Sequence, residues 1–102
     1  MPAKRALIMH PYDNVATAVE EIRAGDEVAI PLVRTTLTLR ALEAIPFGFK
    51  IALQEIPKGD IIRKYGEAIG RAGTAIAKGA LVHIHNLEGT RARGDLEGRG
   101  EA

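Results

Sequence analysis

The chain has 102 residues, 46% of them hydrophobic, with no tryptophan and only two phenylalanines and two tyrosines, so it has no aromatic platform for stacking single-stranded nucleic acid. Its 14 basic and 13 acidic residues interleave to a net charge of +1, and no basic face marks a nucleic-acid partner. The lack of cysteine excludes disulfide frameworks, thiolate metal sites and a cysteine nucleophile.

The length predicts one modest domain, assigned to 1–89, followed by a polar glycine-rich tail over 90–102 that is too poor in apolar residues to fold alone. No run approaches the roughly 20 apolar residues of a membrane span. Met1–Arg5 leads straight into a strand-like run with no signal-peptide pattern, and the expectation is a soluble cytoplasmic protein.

In chain order, Ala6–His10 reads as a first strand stopped by Pro11. His10–Asn14 has turn chemistry, and Asp13 or Asn14 could cap a short helix over Val15–Ile22, where Val15, Ala18, Val19 and Ile22 recur at helical spacing before Gly25. Glu27–Val33 reads as a strand that Pro31 pushes to a sheet edge or a bend, and Thr35–Leu39 as an exposed strand rich in threonine. After the turn at Pro46–Gly48, Lys50–Leu53 forms another strand. Ile61-Ile62 resumes the extended chain, and Gly66 and Gly70 predict a bend with close backbone approach. Thr74–Lys78 suggests one helical turn, and Ala80–Leu87 a last strand.

A local unit recurs at Ile22–Val28, Ile56–Ile62 and Ile76–Val82: an isoleucine, a glycine three residues on, and an aliphatic residue three beyond that. It predicts a tight turn whose isoleucine anchors the core and whose glycine takes a positive φ. The copies are unequally spaced, so this is not a solenoid. The expected fold class is mainly β with short helical turns.

Val82-His83-Ile84-His85-Asn86 alternates apolar and polar residues. On a strand it would set His83 and His85 on one face, roughly 6–7 Å apart at the backbone. Two such imidazoles could form a metal or acid/base site, or simply decorate a solvated face over a buried Val82/Ile84 pair. Asn86 could bond a substrate hydroxyl or end the strand. Asp13 and Asn14 could supply oxygen ligands as readily as a helix cap. Lys64 could neutralise a carboxylate or remain a solvent charge. No serine–histidine–aspartate set, phosphate loop or dense metal-ligand spacing is present, so a complete active site is not legible in this chain.

The ordered stretches Asp13–Ala16, Ile45–Gly48 with Lys50–Leu53, Ile61–Gly66, Ile69-Gly70 and Val82–Asn86 carry a family resemblance. Together they resemble the small SAF-type (β-clip) domain at the N-terminus of altronate and galactarate dehydratases, which also occurs as the small subunit of related lyases such as sulfolactate sulfo-lyase. The resemblance implies a β-clip fold in which a bent hairpin wraps a compact core. It also implies a large catalytic lyase subunit as partner, and a sugar-acid or hydroxy-acid substrate that loses water or sulfite by β-elimination. A divalent metal, iron in the dehydratases, is implied as cofactor and shared with that partner. Within this frame His85 and His83 are the candidate catalytic residues and tentative metal ligands, with His85 preferred. Asn86, Lys64, Asn14 and Asp13 are candidates for substrate binding. One departure is Phe49, which stands where many family members have histidine. That loss favours the alternative, a non-catalytic carbohydrate- or protein-binding β-clip module, since SAF-type domains also resemble the sugar-binding end of sialic acid synthases and certain pilus and flagellar chaperones.

Overall fold

Short aliphatic runs, each cut off within a few positions by glycine or proline, leave no stretch long enough to propagate a helix but suit short strands. The computed structural model describes residues 3–89, and among those residues it contains strands and turns and no helix. The strands are β1 (Lys4–Leu7), β2 (Val15–Ala18), β3 (Glu27–Pro31), β4 (Thr36–Arg40), β5 (Lys50–Ala52), β6 (Ile61–Lys64), β7 (Glu67–Ala72), β8 (Leu81–Val82) and β9 (Leu87–Glu88). One sheet runs β4-β3-β1-β2-β5-β8 and a second runs β6-β7-β9. Only β1 and β3 pair in parallel. The mainly-β expectation holds, without its helical turns. The segment expected as a tail, 90–102, lies outside the described residues.

Three local expectations are corrected. The helix over Val15–Ile22 is instead strand β2, held between β1 and β5. Ala16 and Ala18 enter one core while Val15 enters another, so β2 is buried on both faces. A strand buried on both sides loses its alternation and reads as a continuous apolar run, which is how helical spacing arose by coincidence. The helical turn at Thr74–Lys78 is extended chain, with Ile76 bridged to Ile56. The strand over Ala80–Leu87 is broken after Val82 by a turn at 83–86, and β9 then joins the other sheet.

The recurring glycine unit is the organising device, and the chain holds a fourth copy, Ile45–Ile51, that the sequence reading missed. Gly25, Gly48, Gly59 and Gly79 all have φ between 86° and 91°. Each sits third in a turn closed by the same bond: Asp26 N–H to Arg23 O, Phe49 N–H to Pro46 O, Asp60 N–H to Pro57 O and Ala80 N–H to Ala77 O. A turn of this kind needs positive φ at its third residue. The leading isoleucines pair across the fold, Ile22 with Ile45 and Ile56 with Ile76. The first pair belongs to a core with Ile30 and Ile51, and the second to a core with Val15, Ala52, Ile62 and Val82. Burying each isoleucine is worth about 1.5–3 kcal/mol, so each bridged pair fixes two turns against one core.

Candidate functional site

Asp13 and Asn14 do not cap a helix. They clasp the β6–β7 hairpin. The Asn14 side chain donates through Nδ2 to the Ile61 carbonyl at 2.9 Å and accepts at Oδ1 from the Arg63 N–H at 2.8 Å. The Asp13 carboxylate, buried, accepts from Tyr65 N–H at 3.0 Å and Gly66 N–H at 2.7 Å. Those two residues form the hairpin turn with φ of 60° and 74°. Two successive positive φ values mark the mirror-image turn that suits a twisted hairpin, and a tyrosine in the left-handed region costs about 1–2 kcal/mol. The buried carboxylate offsets that strain.

Around this clasp lie His10, Tyr12, Lys64 and Tyr65. His10 Nδ1 accepts from Tyr12 N–H at 3.2 Å, the two rings stand 5.2 Å apart, and the His10 ring lies against Gly66. Lys64 Nζ sits 5.1 Å from the centre of the exposed Tyr65 ring. The Gly66 contact of His10 is not legible in the sequence, because the hairpin that supplies it lies about 55 residues away. His10 also borders an open, largely apolar groove of about 670 Å³ between β1 and the β3–β4 turn, where Val33 is 93% exposed.

The second candidate element is the turn at His83–Asn86. Asn86 is buried, and its side chain serves its own loop: Oδ1 accepts from His83 N–H and Nδ2 donates to the Leu81 carbonyl, both at 2.9 Å. The His83 carbonyl accepts from the N–H groups of Asn86 and Leu87, and the Asn86 carbonyl accepts from Gly73 N–H. Asparagine bonding to its own backbone breaks the strand here. The paired-histidine geometry expected of a strand is therefore replaced. His83 is half-buried with its ring 4.6 Å from that of Phe49, while His85 is exposed beside Ile84, itself 81% exposed. Ile84 would be inward on a strand and points outward in the turn. Phe49 is thus the direct neighbour of His83.

A third set of groups was not singled out from the sequence. Lys50 on β5 pairs with Thr17 on β2 and with Val82 on β8. It is half-buried, and burial first, then the positive charge of Lys64, hold its ammonium below the usual lysine range. The legible signal was a lysine embedded in an apolar strand, Phe49-Lys50-Ile51-Ala52-Leu53. Because protonating Lys50 costs more in the folded chain, the unfolded chain binds more protons between the lowered pKa and the ordinary one, and stability rises with pH across that window. Below the lowered pKa the full penalty stands. Lys50→Met is expected to raise the melting temperature near pH 7 by roughly 2–4 °C, allowing for solvent screening of a half-exposed group. Thermal melts of the two proteins should converge once the pH passes the ordinary lysine range.

The implied metal does not find a ligand set here. Among the described residues no three histidines, aspartates or glutamates cluster to hold an ion. His83 is turned onto Phe49 and Asp13 is committed to the hairpin turn, which leaves His85 as the imidazole best exposed to a site completed elsewhere. Among the described residues no helix is long and apolar enough to cross a membrane.

A family model for the altronate/galactarate dehydratase SAF domain matches residues 4–90. The chain is similar to altronate dehydratase of Escherichia coli, with 42% identity over 78 residues, covering 76% of this chain and 15% of that protein. It is similar to altronate dehydratase of Bacillus subtilis at 36% identity over 85 residues, covering 83% of this chain and 16% of that protein. It also resembles the (2R)-sulfolactate sulfo-lyase subunit alpha of Chromohalobacter salexigens, at 30% identity over 88 residues, 82% of this chain and 94% of that subunit.

Proposed function

Because the chain belongs to the altronate/galactarate dehydratase SAF domain family, we propose that it is the small component of a sugar-acid or sulfolactate-type lyase and acts with a much larger catalytic polypeptide. The observation that carries this reading is one of length. The match covers 94% of a relative named as a subunit, but only 15% of a whole dehydratase, so most of such an enzyme lies outside a module of this size. Among the described residues no group of three His, Cys, Asp or Glu could hold a metal ion, which agrees with a site that draws on a larger polypeptide.

Eliminating water or sulfite β to a carboxylate requires removal of the α-proton, stabilisation of the charge that develops on the carboxylate, and proton delivery to the leaving group. In this reading His85 moves a proton at its exposed imidazole, and the Asn86-braced turn holds it in place. His83, packed at a tilt against Phe49, orients the turn from behind. Lys64 lies near the proposed substrate carboxylate, while Asp13 and Asn14 keep the hairpin that carries it in place. A divalent metal, where the lyase uses one, takes most of its ligands from the larger body. The apolar groove beside His10 offers that body a surface.

Reconstitution with a large lyase polypeptide from the same genome, assayed for elimination from altronate, galactarate and sulfolactate, tests the reading. His85→Ala is expected to lower turnover by roughly 10²–10⁴-fold, the usual contribution of a general acid or base, with the complex intact on gel filtration. Undiminished turnover would remove His85 from the chemistry. The alternative, a carbohydrate- or protein-binding module without chemistry, draws on the packing of Phe49 against His83, which occupies one face of that imidazole. It predicts shifts at His83 and His85 on NMR titration with sugars that do not depend on added metal.

A further inference from the structure

Thr17 and Lys50 are direct register partners on neighbouring strands, so their side chains share one face with Cβ atoms about 4.5–5.5 Å apart. The Thr17 Oγ1 is buried and finds no hydrogen-bond partner among the described residues. An unpaired buried hydroxyl is a cost that a bound acceptor removes. Lys50 is half-buried, and no described carboxylate pairs with it. Lys64 is half-buried at the end of β6, and Ile62 of the same strand packs in one core with Val15 and Ala52, the residues two before Thr17 and two after Lys50. The positive charge of Lys64 adds to burial in holding the Lys50 ammonium below the usual lysine range. Two half-buried ammonium groups and an orphaned hydroxyl have no carboxylate partner among the described residues, and a planar anion accepting from them would supply one.

We propose that Lys50, Lys64 and the Thr17 hydroxyl form a carboxylate-binding site. The site rests on the chain's own geometry, and its ligand class rests on the proposed lyase function, whose substrates are acids. The carboxylate comes either from a small hydroxy acid or from an aspartate or glutamate of the larger polypeptide. In both cases Lys50 holds it directly.

The full chain is titrated with galactarate at constant ionic strength while the lysine ε-methylene resonances are followed by NMR, with galactitol as the control lacking carboxylates and chloride as the control anion. The expected result is saturable movement at Lys50 and Lys64 with galactarate only. Lys50→Met should weaken binding about tenfold, the loss of one charge-assisted contact, and Thr17→Val about threefold. Lys58→Met, on an exposed turn, should not change it. Thermal melts establish that the variants are folded. If galactarate does not bind but Lys50→Met weakens association with the large lyase polypeptide about tenfold, the carboxylate is the partner's and the site stands. If neither effect is seen, or if chloride gives the same response, the site is overturned. The readout is binding and not turnover, so a failed lyase assay leaves a positive result standing, and where the lyase assay of the proposed function succeeds but Lys50→Met changes neither galactarate binding nor association, this site alone is overturned.

Discussion

Gly79→Ala is expected to destabilise the fold by about 3–4 kcal/mol, combining a left-handed backbone with an overpacked contact. The φ of this glycine is +91°, and a Cβ there would stand 2.3 Å from the backbone carbonyl oxygen of Arg40. Neither side can give way cheaply. Gly79 donates to the Ala52 carbonyl and accepts from Leu42 N–H, both at 2.9 Å, so moving it breaks ladder bonds between the halves of the fold. Domains of this size have only about 5–15 kcal/mol in hand, so the variant should melt far below the parent. Gly59→Ala is the control. It has nearly the same φ, +90°, with nothing within 4 Å of the added carbon, and should lose only about 1–2 kcal/mol. Denaturant midpoints measured in parallel check both values, and equal losses would dismiss the Arg40 carbonyl as the barrier.

Asp13→Ala is expected to cost about 2–4 kcal/mol, because two backbone N–H groups in a part-buried turn lose a charged acceptor together. The strain at Tyr65, φ 60°, would then be opposed only by the hairpin ladder and the Asn14 bonds to Ile61 and Arg63. Asp13→Asn keeps one acceptor oxygen and should lose roughly half as much. Hydrogen exchange separates this from a role in binding substrate. The amides of Tyr65 and Gly66 should lose protection while that of Gly25, bonded to Ala41 in the other half, keeps it. Unchanged exchange at Tyr65 would show that the carboxylate does not hold the hairpin.

Asp13 and Asn14 were legible as residues that satisfy backbone groups, but the backbone they satisfy lies about 50 residues downstream, and no local pattern encodes that distance. His83 and His85 were legible as a candidate pair, yet the strand that would have aligned them depends on Asn86 remaining free. Asn86 instead closes its own turn, which separates an imidazole packed against Phe49 from an exposed one. Lys50 went unnoticed because its interest comes from the partners that register supplies, Thr17 and Val82, and from Lys64 on the other sheet.

The β-rich class, the family and the glycine turns can all be read from the residues alone. Those depend on interactions within a few residues: the positive φ that only glycine takes easily, and the isoleucine three positions before it. Which of these like units is crowded, which strand is buried on both faces and which polar groups meet emerge only from the packed fold. Gly59 and Gly79 share one motif and one φ, and the Arg40 carbonyl alone makes one replaceable and the other not. Such contacts arise when distant segments pack, and side-chain period carries no record of them.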